Sequence, residues 1–194
     1  MDKEPLIQFI EQTLPIPRAT VERIADQFED GVFAKNEYFV RAGKVSNDYL
    51  FLTDGVMRAF TLDTDGNEVT TGFYAKNRVV FEVSSFFMRR ISDENIQALT
   101  DCRGFILTFD KLNQLFHAMP EFREFGRAML AREFAAFKQR TLALINQSAE
   151  ERYADLIRTN REVFQSAQLK QIASYLGITD TSLSRIRREY AKKG

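Results

Sequence analysis

The sequence predicts an α+β chain in three parts: an antiparallel β-roll with flanking helices, one long helix, and a small C-terminal helix-turn-helix unit. Three observations lead there. Short runs rich in Val, Phe, Tyr and Thr, punctuated by turn signals, fill residues 31 to about 110. Apolar residues then recur at helical spacing up to Leu144, with no proline after Pro120. Last, a small residue, a glycine, a capping residue and an apolar anchor follow one another between Leu169 and Ile186. The boundaries read from these changes of texture are 1–118 for the roll, 119–147 for the long helix and 148–194 for the C-terminal unit.

Composition narrows the function classes. With 44% hydrophobic and 28% charged residues the 194-residue chain is an ordinary globular one, able to build a core. Lys+Arg and Asp+Glu are both 27, so the whole molecule has no net electrostatic preference. The single cysteine, Cys102, excludes a disulfide framework, an all-cysteine zinc site and a thiolate-ligated iron–sulfur cluster within one chain. The single histidine, His117, excludes a site needing two imidazoles. The N-terminal stretch from Met1 is charged within four residues and never becomes continuously apolar, unlike a signal peptide. No window approaches the roughly 18 apolar residues of a membrane span, so the expectation is a cytoplasmic protein without a membrane partner.

The elements follow in order. Leu6, Ile7, Phe9 and Ile10, then Val21, Ile24, Ala25 and Phe28, recur at three-to-four spacing. Pro15 and Pro17 divide them, so a first helix, a break at 13–18 and a second helix at 18–30 are expected. Runs at 49–52, 56–60 and 69–74 fit strands. Asp65-Gly66 between two of them is a hairpin signal, because primed turns need positive φ. Strands every ~8–12 residues indicate a sandwich, barrel or roll. Beyond them, Phe122, Phe125 and Met129 form one helical stripe. Leu130, Phe134, Phe137, Thr141 and Leu144 form a second, spaced as a heptad seam. A continuous helix of about seven turns following Pro120 can pack one stripe on the roll and offer the other to a second copy. The alternative is a helix buried within one chain.

The C-terminal unit concentrates the positive charge. From residue 150 onward there are nine Lys/Arg and six Asp/Glu, net +3, leaving 18 against 21 elsewhere. The last ten residues hold Arg185, Arg187, Arg188, Lys192 and Lys193 against Glu189 alone, the footprint of phosphate contact or of a solvated basic tail. The pattern ahead of it separates the two. Ile172, Ala173 and Leu176 make the buried stripe of a first helix, with Ala173 small where a second helix crosses. Gly177 supplies positive φ for the turn, Ile178 plugs it, Thr179 caps the next helix, and Leu183 and Ile186 anchor that helix. This is helix-turn-helix grammar, shared in part by ordinary αα-hairpins.

On these residues nearly the whole chain resembles the Crp/Fnr superfamily of bacterial transcription regulators. The run Arg152-Tyr153-Ala154-Asp155-Leu156-Ile157 is similar to the R-x-A-x-x-L that opens the family's DNA-binding domain, with Ile157 for the last leucine. The ending from Leu176 to Arg188 is similar to a Bacteroidetes-type subgroup. The resemblance implies a jelly-roll, cyclic-nucleotide-binding-like domain, a long dimerisation helix and a helix-turn-helix in a homodimer on near-palindromic double-stranded DNA. It places Asp180, Thr181 and Arg185 at base edges, with Arg185 suited to a guanine, and Lys170, Thr179, Ser182 and Arg188 on phosphate. Asp180 departs from the family's more basic or amide residues, and the helix dipole alone would favour an acid there. The family's β-wing has no counterpart in a sequence ending at Lys192-Lys193-Gly194. RNA polymerase and an unidentified small-molecule effector are the further candidate partners.

The effector cassette departs further. Cyclic-nucleotide binders of this fold are similar in carrying Phe-Gly-Glu-x-Leu/Ala, then arginine, Ser/Thr and Ala about ten residues after the glutamate. Helix N–H groups hold the phosphate, the glutamate takes the ribose hydroxyl and the arginine pairs with the charge. Here the match is Phe81-Glu82-Val83-Ser84, and Ser92-Asp93 stand where the arginine and hydroxyl belong. Glu82, Val83, Ser84, Ser92 and Asp93 are the candidate pocket, with Phe81, Phe86 and Phe87 either lining it or forming core. Without the arginine, cyclic AMP is not the expected ligand; Arg89 or Arg90 could substitute, though nothing in the spacing requires it. No cofactor and no metal site are assigned. No nucleophile–histidine–acid set and no glycine-rich nucleotide loop is present, so an enzyme is not expected. The competing reading is a small-molecule binding module whose DNA binding is weakened or lost.

Overall fold

A computed structural model describes residues 1–192; of the basic C-terminal run, Lys193 lies outside the described residues, as does Gly194. Helices α1 (Glu4–Thr13) and α2 (Arg18–Ala25) precede eight strands: β1 (Glu29–Phe33), β2 (Tyr38–Val40), β3 (Asp48–Asp54), β4 (Met57–Leu62), β5 (Glu68–Tyr74), β6 (Arg78–Val80), β7 (Asn95–Ala98) and β8 (Cys102–Thr108). Helix α3 (Val83–Met88) interrupts them between β6 and β7. After β8 come α4 (Phe109–Ala118), the long α5 (Pro120–Asn146), α6 (Ala149–Thr159), α7 (Val163–Ser166), α8 (Leu169–Leu176) and α9 (Asp180–Ala191).

The strands form two antiparallel four-stranded sheets, ordered β1-β8-β3-β6 and β2-β7-β4-β5. Their facing sides close over Leu50, Leu52, Met57, Ala59, Val80, Ile96 and Cys102. Strand β3 is buried on both faces: Leu50 and Leu52 point into the roll, while Tyr49 and Phe51 point out into a second core with α1, α2, α4 and the start of α5. A strand with both faces covered shows a continuous apolar run rather than alternation, which is why Tyr49-Leu50-Phe51-Leu52 reads so plainly. The β4–β5 turn is closed by Gly66 at φ 82° and by Asp63, whose carboxylate accepts the N–H groups of Asp65 and Asn67. Those N–H groups, Asn67 foremost, hold the Asp63 pKa below its ordinary value.

One boundary differs from expectation. The second helix ends at Ala25 rather than near 30, because Glu29 already pairs with Ile106 across the sheet. The helical stretch from 109 is broken at Met119, which is extended at φ −128°, ψ 105°. The ring of Pro120 disfavours the helical region for the residue before it and suits the first position of the next helix. Gly126 lets α5 lie close on α4, since a Cβ there would sit 2.6 Å from the Phe116 ring.

Candidate functional site

The C-terminal helices form the geometry the pattern predicts. Helix α8 ends at Gly177, left-handed at φ 68°, and Thr179 caps α9 by accepting the Ser182 N–H at 3.2 Å. Ile172, Ala173, Leu176, Leu183 and Ile186 are buried together with Tyr153, Leu156 and Val163. The Arg152 guanidinium explains its place in the motif. It donates to the Leu176 carbonyl, an orphan of the α8 end, at 2.8 and 3.2 Å, and to the Gln147 carbonyl at 2.5 Å. One side chain thus ties the long helix, α6 and the turn together.

Burying Leu183 and Ile186 turns the other side of α9 to solvent. Thr181, Ser184, Arg185 and Arg188 recur at i, i+3, i+4 and i+7 on that side, all exposed. Asp180, at the first position of α9, and Thr179 are exposed beside them, and Ser182 is half-buried with its hydroxyl on Thr179 at 3.0 Å. Lys170, in the first turn of α8, is exposed as well. Asp180 sits where the α9 dipole favours an acid.

Helix α5 changes character along its length. Phe122, Phe125 and Met129 are buried against the roll and α4. Beyond Met129 no residue of α5 is buried. Leu130, Phe134, Phe137 and Leu144 are exposed at 38, 70, 66 and 44%, with Thr141 exposed among them. The heptad reading omitted Leu142 and Ile145, which are also exposed. Ile145 lies four residues beyond Thr141, and that spacing was the available signal.

The five cassette residues sit in different surroundings. Glu82 caps α3, its carboxylate accepting the N–H groups of Ser84 and Ser85. These are the helix N-terminal donors that would otherwise face an anion. The Ser92 hydroxyl is buried and closes on Glu94, donating to its carbonyl and accepting its N–H. Asp93 and Val83 are exposed and Ser84 half-buried. Of the two candidate substitutes for the missing arginine, Arg90 is exposed and Arg89 is built into the end of α3. It is left-handed at φ 54°, donates to the Ser46 carbonyl and to Asn47, and lies 4.1 Å over the Phe109 ring. The surroundings are acidic: burial raises the Glu94 pKa, and the neighbouring Glu82 raises it further. Phe81 and Phe86 are core residues with Phe87 packed on them. His117 is exposed in the last turn of α4. Three cavities stand out, and none includes the five cassette residues: about 500 Å³ beside the C-terminal half of α5, about 580 Å³ between α1, β6 and α5, and an apolar slot of about 20 Å³ under Phe81 and Phe87. Replacing Glu82 by alanine removes the cap of α3 and is expected to cost about 1 kcal/mol, read from urea unfolding.

Residues 31–118 match the cyclic nucleotide-binding domain family. Together with the two-sheet roll, the long helix and the C-terminal helix-turn-helix, that defines a chain with a cyclic nucleotide-binding-type domain. It is 23% identical over 199 residues to electron transport regulator A of Shewanella oneidensis, covering 94% of this chain and 78% of the relative. To the transcriptional activator protein anr of Pseudomonas aeruginosa it is 22% identical over 175 residues, covering 82% and 69%. The solved structure of FixK2 from Bradyrhizobium japonicum superposes with a TM-score of 0.74 at 19% identity, over 86% of each chain. The chain has Crp/Fnr-type transcription regulators as its homologues and structural neighbours. Among the described residues, no helix is long and apolar enough to cross a membrane.

Proposed function

We propose that this chain is a homodimeric, sequence-specific DNA-binding transcription regulator of the bacterial cytoplasm. The observation that carries the reading is α9. Its buried side completes a helix-turn-helix core, and its outer side presents Thr181, Arg185 and Arg188 exposed. In this reading Thr181 and Arg185 reach base edges, and Lys170, Thr179, Ser182 and Arg188 meet phosphate. Asp180 completes the base-facing set, where a carboxylate can accept from a cytosine amino group. The exposed seam of α5 pairs with that of a second copy and sets two α9 helices about one turn of B-DNA apart, ~34 Å. RNA polymerase is the further partner this role calls for.

The effector of the roll is not a cyclic nucleotide. Glu82 already takes the N–H groups that would hold a phosphodiester, and Arg89 is committed to the Ser46 carbonyl, Asn47 and the Phe109 ring. Either another small molecule or no ligand governs the protein. Calorimetric titration with cyclic AMP and cyclic GMP tests this: no heat is expected from either. Saturable micromolar binding would contradict it.

A further inference from the structure

The helix-turn-helix does not hang free of the roll. Its hydrophobic core takes in Val56 and Leu99, with Phe73 packed on it. A polar chain lies beside that contact. The Thr70 N–H donates to the Ser174 hydroxyl at 3.0 Å, and that hydroxyl donates to the Thr70 hydroxyl at 2.9 Å. Thr70 in turn accepts the Arg58 Nε–H at 2.9 Å, and the same guanidinium holds Glu68 at 2.6 Å while lying 4.4 Å over the Phe60 ring. Arg58 is only 1% exposed, although its carboxylate partner is on the surface. One residue further along α8, the Tyr175 ring meets Phe73 at 5.1 Å, and Arg140 of α5 covers its other neighbourhood at 4.3 Å.

A bulge in the sheet makes this possible. Strands β4 and β5 pair Arg58 with Phe73 and Phe60 with Thr70, with a register shift between Ala59 and Phe60. Residues 70 and 73 are three apart and would face opposite sides of a regular strand. The extra residue on β5 brings both to the outer face, under α8. Burying a guanidinium is costly unless its donors are met. Here Glu68 takes an Nη1 donor, and the Nε–H is met by the threonine that holds α8.

We propose that Arg58, Thr70 and Ser174 form a latch that fixes the helix-turn-helix on the roll, and that they are positioning residues for the DNA-facing surface. The second half of this rests on the DNA-binding reading above. The latch leaves Lys170, Thr179, Asp180, Thr181, Arg185 and Arg188 exposed, so it orients the DNA-facing set without covering it. Undocking would let each α9 tumble relative to the roll and would reintroduce orientational freedom that binding must remove again.

The test is Ser174→Ala, which removes the hydroxyl and keeps a good helix former, beside Thr70→Ser, which keeps the hydroxyl. Both are read in the full-length protein by native-state amide exchange and by titration of a duplex selected by the wild type. Ser174→Ala is expected to speed exchange of the α8 and α9 amides about tenfold or more, since it removes two hydrogen bonds to Thr70, with β3 and β8 unchanged. Thr70→Ser stays at the wild-type rate. DNA affinity falls about tenfold in Ser174→Ala at an unchanged salt slope, because the phosphate contacts remain. Unchanged exchange in α8 and α9, or a rise shared equally by the roll, overturns the latch. Faster exchange with undiminished affinity overturns the positioning role. A wild type that binds no duplex sinks the DNA reading, while the exchange comparison still decides whether the latch exists.

Discussion

Arg185→Ala is expected to remove most of the discrimination between operator and random DNA while leaving the fold intact. Arg185 is exposed on the outer side of α9, and the residues that anchor this helix, Leu183 and Ile186, are on the other side. Truncating it therefore costs no core contact. A bidentate arginine–guanine pair is worth about 1–3 kcal/mol of discrimination, and a symmetric dimer loses two such pairs, so roughly 2–6 kcal/mol disappears. Specific affinity then falls by about two to four orders of magnitude while non-specific affinity changes little. Lys170→Ala gives the contrasting pattern. It weakens all duplexes alike and flattens the dependence of log affinity on log salt by about one per protomer. Fluorescence anisotropy on a specific and a scrambled duplex at several salt concentrations separates the two patterns.

Phe137→Asp is expected to convert the dimer to a monomer and to abolish specific DNA binding with it. Phe137 is two-thirds exposed in the single chain, in the middle of a helix half that buries no residue against its own roll. A large exposed apolar strip on one helix face marks an interface. Covering that ring contributes roughly 3 kcal/mol per copy, and the substitution is made in both copies. An aspartate at the axis adds the cost of desolvating a carboxylate. Dimer dissociation thus strengthens by about four orders of magnitude or more. Sedimentation equilibrium reads the change directly. The isolated monomer stays folded, because the ring is exposed within its own chain, but its unfolding midpoint falls by the stabilisation that the partner supplied.

Much of this architecture was legible in the residues, and the reasons are local. Gly177 and Thr179 mark the turn because one must be left-handed and the other must cap; both requirements can be read from a single position. Phe122, Phe125 and Met129 announce the buried face of α5 by spacing alone. The end of α2 was not legible, because the chain leaves the helix after Ala25 for a pairing of Glu29 with Ile106 of β8, which is distant in the chain. The start of the long helix could be read at Met119-Pro120, because Pro120 itself carries the cause of the break. The fate of Glu82 lay beyond sequence. The same residue that the resemblance assigns to a ribose hydroxyl turns back on the N–H groups of Ser84 and Ser85, and only the backbone geometry reveals it. The link from Ser174 to Arg58 depends on a bulge between two strands and is invisible to any reading of spacing.

The measurement that tests the central claim most directly is selection of bound duplexes from a random-sequence pool by the purified protein, followed by footprinting of the enriched duplex. The account predicts a near-palindromic sequence with two half-sites about one helical turn apart and two protected major-groove segments on one face. Enrichment that vanishes with Arg185→Ala would tie it to α9. A pool that stays random over repeated rounds at low salt would contradict the account, and so would a single unpaired half-site bound by a monomer.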